Sequence, residues 1–224
     1  MDGNGRWATA HGRSRSAGHE AGVRTVREIV EAAVQEGVGI LTLYAFSSDN
    51  WKRPTAEVTA LMRLFRRALI AEAKRCLQNG VRLTVLGRRD RIGSSLRHTI
   101  EQVEDVTVKG TRMHLRIAMD YSSRDAMMRA STALRGEPVS REVFTEMLAR
   151  VDHDKVSARE VDLLVRTGGE QRLSDFLLWE CAYAEMLFLE KMWPEFAAGD
   201  LAQALADFRS RNRRFGLAPE QVAS

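Results

Sequence analysis

The residues Ile40 to Phe46, with the sequence ILTLYAF, decide the fold class of this chain. They form a nearly continuous apolar run rich in β-type residues, which is typical of a strand covered on both faces. Before this run, residues 19–36 carry an apolar stripe at helical spacing that stops at Gly37. After it, a second helical pattern runs from Pro54 to the Asn79-Gly80 pair. A buried strand between two amphipathic helices indicates a parallel α/β architecture.

The same alternation of strands and helices continues along the chain. Further strands are predicted at Val81–Leu86, Met113–Met119, Val161–Val165 and Met186–Leu189. Further helices are predicted after the potential capping residues Ser94, Ser123 and Ser140, and from Asp200 to Arg211. The sequence therefore predicts a single α/β domain over residues 1–224, with a central parallel sheet flanked by helices.

Composition narrows the class of protein but does not choose a ligand. With 44% apolar and 29% charged residues, the 224-residue chain is typical of globular proteins. Its net charge of +4 favours anionic partners, which could be nucleic acid, phosphates or a membrane surface. Cys76 and Cys181 lie in apolar segments and are expected to be buried and reduced. Without a long apolar span or an apolar leader, a cytoplasmic location is expected.

Three polar segments follow predicted strands and are expected to meet. They are Ser47–Arg53, Ser122–Arg124 and Arg166–Arg172. In open α/β sheets, ligands bind beyond the carboxyl ends of the strands. We therefore expect these segments to line one rim that carries the functional site.

The opening segment MDGNGRW, Met1 to Trp7, has the residue types of a diphosphate-binding loop. Its glycines would let backbone N–H groups approach an anion, and Asp2 could hold a hard cation. Positive donors would come from Arg6, Arg13, Arg15 and His19. The alternative is a flexible basic tail, because a GxG pattern alone is a weak signal.

Two later segments also combine polar side chains with unusual neighbours. In SSDNWKRP, Ser47 to Pro54, an exposed Trp51 would be an odd choice for a structural turn, although it could pack on the core. In RTGGEQRLSDF, Arg166 to Phe176, two arginines beside paired glycines could clamp a diphosphate. The alternative for the second segment is a surface turn with solvated charges.

Two further features allow several interpretations. Glu185 lies in the apolar stretch CAYAEMLFLE, so it is either paired to a cation or exposed on one strand face. The arginine-rich segment Arg209–Gly216 could be a helix C-terminus, a nucleic-acid patch or a phosphate-binding tail.

Taken together, these segments resemble the cis-prenyltransferases, specifically the bacterial undecaprenyl diphosphate synthases. The matching segments are MDGNGRWA, GHEAG, LTLYAFSSDNWKRP, DLLVRTGGEQRLSDFLLW, AYAE and RRFG, in the family's order and spacing. The resemblance implies a Mg²⁺-dependent enzyme that condenses isopentenyl diphosphate onto an allylic diphosphate such as farnesyl diphosphate. It also implies a hydrophobic tunnel beside two long helices, a homodimer, and peripheral contact with the membrane that receives its lipid product, the cell-wall lipid carrier.

The resemblance assigns roles residue by residue. Asp2 would bind magnesium with Glu185 as its partner, and Asp2 and Asn50 would be catalytic. The allylic diphosphate would contact Gly3, Asn4, Gly5, Arg6, Trp7, Arg15 and His19. The diphosphate of isopentenyl diphosphate would contact Arg166, Arg172 and Ser174, helped by Arg213 or Gly216 of the other subunit. The reaction centre would be lined by Ser47, Ser48, Asp49, Trp51 and Arg53. The proton would leave through Asn50, or alternatively through Asp2 or a phosphate oxygen.

Three departures from the family pattern stand out. The family has a strand ahead of MDGNG, whereas this sequence begins at Met1, so either the start was assigned late or the stretch is absent. Its loss would shorten the sheet and leave Asp2 poorly anchored. The family's Asn-Tyr-Gly-Gly-Arg appears as Asp120–Arg124, with two serines for two glycines, which questions the local backbone geometry. Gln171 stands where a histidine is common.

The resemblance also carries an expectation about the length of the polyprenyl product. In this family a small residue at the end of the strand before the Ser-Ser loop goes with longer products, and this chain has Ala45. The helix from Thr55 to Asn79 lacks the extra residues of relatives that make much longer chains, which suggests undecaprenyl-like depth. The alternatives are a short-chain cis-prenyltransferase, a non-catalytic partner subunit and, from charge alone, a nucleic-acid-binding protein without a recognised module.

Overall fold

The computed structural model describes residues 1–136, 138–154 and 160–211. Within these ranges the strands are β1 (Ile40–Ser47), β2 (Val81–Leu86), β3 (Met113–Tyr121), β4 (Leu163–Arg166) and β5 (Glu185–Phe188). The helices are α1 (Asn4–Ala10), α2 (Arg15–Gln35), α3 (Thr55–Gln78), α4 (Ser94–Thr107), α5 (Ser123–Ala133), α6 (Arg141–Val151) and α7 (Ala198–Ser210). Short 3₁₀ turns at Ser48–Lys52 and Trp193–Glu195 follow β1 and precede α7.

All strand pairings between described residues are parallel, which confirms the predicted α/β class. β3 lies between β1 and β2, while β4 and β5 form a second ladder. Residues 39–46 and 160–167, along β1 and β4, both line one cavity of about 1360 Å³. The sheet is therefore in two ladders that border a common cavity. The family's strand ahead of MDGNG would lie before residue 1, so the described residues do not test whether it is absent.

The main apolar core lies between one face of the three-stranded ladder and helices α2, α3, α4 and α7. Alternate β3 residues Met113, Leu115, Ile117 and Met119 point into it, as their spacing predicts. A smaller core on the opposite face joins Ala118 to residues after β4. Cys76 and Cys181 are buried and free, as expected from their apolar neighbours. None of the described helices has the length and apolarity needed to span a membrane.

The first residues of some helices differ from the sequence prediction, because the capping hydrogen bond determines where a helix begins. α1 was not predicted at all. α2 begins at Arg15, earlier than the apolar stripe suggests, because the Ser14 hydroxyl accepts from Ala17 N at 3.3 Å. The cap of α5 is Ser122 and not Ser123, and the cap position of α4 is Gly93, with Ser94 as the first helical residue. Ser140 caps α6 as predicted.

The first helix packs on α2 through glycines in the segment GHEAG. A Cβ added at Gly18 would lie 2.1 Å from the carbonyl oxygen of Asn4, and one at Gly22 would lie 2.3 Å from Asn4 Oδ1. Gly18 and Gly22 are four residues apart on α2, so they lie on one face of the helix. Small residues at this spacing let the backbone of the MDGNG segment contact α2 directly.

We expect Gly18→Ala to lower the free energy of unfolding by about 1–3 kcal/mol, because a methyl group must displace the backbone at Asn4. Gly199→Ala is the matched control, since Gly199 also lies in a helix but a Cβ there meets nothing within 4 Å. That control should raise the free energy by about 0.5–1 kcal/mol through helix propensity. Chemical denaturation of both variants measures the difference, and equal effects would contradict the packing argument.

Candidate active site

The backbone of Asp2 is fixed by contacts with the two segments that flank β5. Its N–H donates to Thr167 Oγ1 at 3.0 Å, and the Thr167 hydroxyl donates to its carbonyl oxygen at 3.1 Å. The same carbonyl accepts from Trp193 N at 2.9 Å. The expectation that Asp2 would be poorly anchored is therefore wrong for this structure.

The carboxylate of Asp2 is held by positive charge. Its Oδ2 accepts from Arg166 Nη2 at 3.0 Å, and its Oδ1 accepts from Gly3 N at 2.7 Å and lies 3.4 Å from Arg6 Nη2. Burial alone would raise the pKa of this carboxyl. The hydrogen bonds from Arg166 and Gly3, with the charges of Arg166 and Arg6, outweigh burial and lower the pKa below its ordinary value. Asp2 is therefore ionised at neutral pH.

The MDGNG segment and the RTGG loop touch through a glycine. Gly168 has φ +90°, and a Cβ there would lie 2.8 Å from Arg6 Nη2 and 3.2 Å from the carbonyl carbon of Asp2. A side chain at this position would therefore separate the two motifs. The MDGNG segment and the RTGG loop therefore meet at one rim.

Glu57, in the first turn of α3, gathers three cationic or titratable groups. Its Oε1 lies 3.2 Å from Arg53 Nη1, 3.5 Å from Arg15 Nη2 and 4.0 Å from His19 Nε2. Burial, followed by the charge of Arg53, lowers the pKa of His19, while the Glu57 charge raises it. The net shift is downward, so the neutral imidazole is favoured at neutral pH.

Buried polar atoms at this rim lack hydrogen-bond partners within the described part of the chain. They are Asn4 Oδ1, His19 Nε2 and Trp51 Nε1. Asn4 and His19 also line the cavity described above. Buried polar atoms without a protein partner are typical of places where water or a ligand completes the site. Of these neighbours, His19, Arg15 and Arg53 suit an anionic ligand, because each can donate a hydrogen bond; Asn4 Oδ1 is an acceptor that lies against Gly22.

Arg166 organises the second group of cations. Its Nη1 donates to Ser174 Oγ at 2.9 Å and also to the carbonyl oxygen of Arg172. The Arg172 side chain is exposed and pairs with Glu170. Arg166 therefore links Asp2 to the loop that carries Ser174.

Asp175 fastens that loop to the start of α5. Its Oδ2 accepts from Ser122 Oγ at 2.5 Å, and its Oδ1 accepts from Arg124 N at 3.0 Å. Ser123 adds two more links, since its N–H donates to the Asp175 carbonyl at 3.0 Å and its Oγ accepts from Leu178 N at 3.0 Å. Neither serine has a positive φ, so serine replaces glycine here without backbone strain. The question raised by the altered motif is thereby answered.

Asp120 ties the Ser47–Arg53 segment to the end of β3. It is fully buried, accepts from Arg91 Nε at 2.9 Å, and accepts from Ser48 Oγ at 3.1 Å. The same Arg91 guanidinium lies 5.8 Å from the ring centroid of Trp51, a cation–π contact. Trp51 packs edge-on against Phe46, so it belongs partly to the core, which was the structural alternative for this segment.

Some predicted site residues of the Ser47–Arg53 segment have structural roles or are exposed to solvent. Asn50 Oδ1 accepts from Ser47 N at 3.1 Å, so its amide oxygen is occupied. Asp49 is exposed and pairs with Lys52 at 2.7 Å. Outside this segment, Trp7 packs against His11 with ring centroids 4.7 Å apart and the rings tilted by 35°, and it is absent from the cavity lining.

The structure does not bring Glu185 to Asp2 within one chain. Glu185 pairs with Leu163 at the start of the β4–β5 ladder, whereas Arg166, which binds Asp2, pairs with Phe188 at its end. Its Oε2 accepts from Arg211 Nη1 at 2.8 Å, so the interpretation of Glu185 as cation-paired is confirmed. The acid that lies against the RTGG loop is Glu190, whose Oε2 would be 2.7 Å from a Cβ at Gly169. Among the described residues, no group of three or more potential metal ligands is present.

Arg213 and Gly216, the predicted contribution of the arginine-rich tail, lie outside the described residues.

Ala45 lies at the entrance to a second, apolar cavity between α2, α3 and the sheet. It is exposed to the cavities and lines both of them. The β1–β3 register shifts between Tyr44 and Phe46, which flank it. Ala45 is therefore a cavity-wall residue, and the alternative of a small residue in a crowded core is wrong.

Comparison with known proteins identifies the family. The family model described as "Putative undecaprenyl diphosphate synthase" matches residues 1–216. The chain belongs to the cis-prenyltransferase family. It is 56% identical to isoprenyl transferase 1 of Bradyrhizobium diazoefficiens, over 100% of this chain and 92% of that protein. It is 42% identical to a farnesyl-diphosphate-specific ditrans,polycis-undecaprenyl-diphosphate synthase of Xanthomonas axonopodis pv. citri, over 100% and 88%.

The fold agrees with that of a solved relative. The structure of lavandulyl diphosphate synthase from Lavandula x intermedia, in complex with dimethylallyl diphosphate, superposes with a TM-score of 0.89 at 30% identity. The match covers 96% of this chain and 95% of that one. Membership of this family makes the chain a prenyltransferase enzyme, and the superposition shows that it has the family's fold.

Sequence reasoning missed four residues that hold the cis-prenyltransferase site together: Glu57, Arg91, Thr167 and Asp175. Glu57 had a local signal, since it stands four residues after Arg53 at the start of a helix. Arg91 and Thr167 act across 29 and 165 residues of sequence, so no local pattern could reveal them.

We expect Glu57→Gln to lower the pKa of His19 further, because the Glu57 charge is what raises it. NMR titration of the imidazole protons measures this directly, without an activity assay. His114 is the control: burial lowers its pKa to about 4, and Arg116 and Arg82, not Glu57, are its charged neighbours. An unchanged or raised pKa of His19, or an equal shift at His114, would contradict the assignment of Glu57 as the hub.

Proposed function

We propose that this chain catalyses the magnesium-dependent cis-condensation of isopentenyl diphosphate onto an allylic diphosphate, farnesyl diphosphate, to give a long, undecaprenyl-like product. The observation that carries the proposal is the position of Asp2. Its carboxylate lies between Arg166 and Arg6, so it joins two groups of cations beside the cavity that Ala45 lines. Two diphosphates need two anion sites whose reacting ends meet, and this rim offers them.

The allylic diphosphate is assigned to the side formed by Gly3, Asn4, Gly5, Arg6, Arg15 and His19. His19 offers an unpartnered ring nitrogen there, and among the described residues Arg15 is held by an ion pair with Glu57. His19 Nε2 and the Arg15 guanidinium could donate to a diphosphate, and its charge would favour protonation of His19. The departing diphosphate would be stabilised by the same cations.

Isopentenyl diphosphate is assigned to Arg166, Arg172 and Ser174. Arg172 is exposed and its pairing with Glu170 is local, so its guanidinium can turn to a phosphate. Asp175 and the two serines fix the loop that presents Ser174. Arg213 or Gly216 of a second subunit would complete this side in a homodimer.

Magnesium fits this rim as an ion shared between protein and substrate. Mg²⁺ is usually bound through one or two carboxylates plus substrate phosphates and water. Asp2 is ionised and half-exposed, so it would supply one carboxylate, and Glu190, against the adjacent RTGG loop, is a candidate for the second within one chain. The ion would supply charge stabilisation to the leaving diphosphate. Glu185 remains a candidate only if another subunit brings it to the rim.

The proton lost after condensation is assigned to Asp2 or a phosphate oxygen in preference to Asn50. An amide is a poor base, and Asn50 Oδ1 is already occupied by Ser47 N. Asn50 instead fixes the turn that carries Ser48 and Trp51. We place the enzyme in the cytoplasm, in peripheral contact with the membrane that takes its lipid product.

A short-chain product is the second candidate, because the solved relative with a TM-score of 0.89 is a lavandulyl diphosphate synthase. One incubation of purified protein with labelled isopentenyl diphosphate, farnesyl diphosphate and magnesium distinguishes the two. Products resolved by size should include long chains. Release after one or two additions would promote the short-chain candidate, and no product with any allylic starter would refute the proposed activity.

Asp2→Ala should reduce turnover by more than about a hundredfold, since metal-assisted charge stabilisation contributes several kcal/mol. The fold should survive, because Thr167 and Trp193 hold the backbone of Asp2 and not its side chain. Turnover at saturating magnesium and the circular dichroism spectrum are the measurements. Near-normal product formation by the variant would refute the role of Asp2.

Ala45→Leu should shift products toward shorter chains while the first condensation survives. The added bulk would narrow the entrance to the apolar cavity, where a growing tail gains roughly 0.8 kcal/mol per buried methylene. Product size distribution and the rate of the first addition are measured separately. A distribution identical to that of the wild type would show that Ala45 does not limit chain growth.

A further inference from the structure

The apolar cavity between α2 and α3 changes character along its length. Near the site it borders Asn4 and His19, and its middle is apolar, with Val26, Val30, Leu61, Phe65 and Leu69 among its walls. Farther along, four charged residues line it: Arg27, Glu31, Glu72 and Arg75. A wall of charges is unexpected in a space meant for hydrocarbon.

The order of the ion pairs between α2 and α3 shows which end of the apolar cavity these charged residues occupy. Arg15 meets Glu57 at 3.5 Å, whereas Glu31 meets Arg75 at 3.2 Å. Residue numbers rise together on both helices, so α2 and α3 run side by side in the same direction, away from the site. Glu72 is fifteen residues beyond Glu57, or about 22 Å along the helix axis at 1.5 Å per residue. The charges therefore lie at the distal end.

These four side chains form a network of three ion pairs that bridges the two helices, here called the ring. Arg27 of α2 donates through Nε to Glu72 of α3 at 3.0 Å. Glu72 Oε2 lies 3.7 Å from Arg75 Nε, and Arg75 Nη1 donates to Glu31 Oε1 at 3.2 Å. Arg27 and Glu31 are one helical turn apart on α2, and the charge of Glu31 helps to raise the pKa of Arg27. Only 18% of the Glu72 side chain is exposed, whereas 42–44% of Arg27, Glu31 and Arg75 is exposed.

The apolar cavity is small, and charged side chains close its distal end. Its volume is about 150 Å³, the room of a few water molecules, so a polyprenyl tail must part α2 from α3 as it grows. Apolar walls can slide apart against a tail that replaces their contacts. Separating the ion pairs of the ring costs more, since it leaves the largely buried Glu72 carboxylate without its cations beside hydrocarbon.

We propose that the ring of Arg27, Glu31, Glu72 and Arg75 sets the maximum product length by latching α2 to α3 at the distal end of the cavity. This inference rests on the proposed polyprenyl synthase function and adds its length determinant. Growth stops when the tail reaches the latch, and the product then leaves.

The test compares two ion pairs that join the same two helices. The double variant Arg27→Met with Glu72→Met, here called the latch variant, replaces one ion pair of the ring with apolar side chains of similar length. Because both partners are changed, neither charge of that pair is left alone. The control is Glu20→Met with Arg67→Met, a pair at 3.8 Å whose side chains are 56% and 69% exposed and which does not line the cavity. Products from labelled isopentenyl diphosphate and farnesyl diphosphate are resolved by size.

The latch variant should extend the main product by at least one isoprene unit, while the control keeps the wild-type distribution. The rate of the first addition should stay close to wild type in both, because neither pair lies at the rim. Arg27→Lys, which keeps the cation, should keep the wild-type length. If the latch variant folds poorly, Glu31→Met with Arg75→Met tests the other side of the ring in the same assay.

Wild-type lengths from a folded latch variant, or equal lengthening in the control, would overturn the inference. That failure is distinguishable from failure of the proposed function. In the latter case the wild-type protein itself would make no long product, whereas here the wild type elongates and only its response to the latch substitutions is missing.

Discussion

The hydrogen bonds that hold the backbone of Asp2 to Thr167 and Trp193 are the contacts on which the site depends. They join the first residues of the chain to the segments on either side of β5. Once the backbone is fixed, the Asp2 carboxylate has one position, between Arg6 and Arg166. The two groups of cations can then face each other, because the acid between them reduces their mutual repulsion.

The same principle recurs around the rim, where an acid holds each group of arginines. Glu57 restrains Arg15 and Arg53, and Asp120 restrains Arg91. A cation held by a carboxylate has already lost much of its side-chain entropy before a ligand arrives. The ligand must compete with that carboxylate, however, so such sites favour ligands of high charge, and a diphosphate is one.

The apolar cavity follows a different rule. Several of its wall side chains on α2 and α3, such as Val26, Leu61 and Phe65, are only partly buried, although they pack against the core. Such helices are stabilised by less apolar contact than a filled core would give, and ion pairs between them offset part of that loss. The arrangement leaves space for hydrocarbon near the site and restrains the helices at their far ends.

Much of this protein could be predicted from its sequence. The ILTLYAF run, the helical stripes and the capping residues determined the α/β class and most elements, because periodicity and caps are local properties. Residue types also located the rim, since strand ends carry the ligand-binding loops in this class. Boundaries shifted where a cap bond competed with the stripe, as at Ser14 and Ser122. Helix α1 was missed because a seven-residue glycine-containing segment has little helical propensity of its own and is stabilised by docking on Gly18 and Gly22.

Only the tertiary structure decided which charges pair. Glu185 seemed from its motif to belong with Asp2, but the strand register puts it at the far end of β5, against Arg211. Asp120 and Arg91, or Glu72 and Arg27, are far apart in sequence and carry no mark of their partnership. The sequence determined the elements and the chemistry available at the rim, because these depend on neighbouring residues. The structure determined the partners, because an ion pair depends on distances of a few ångströms that only the packed chain sets.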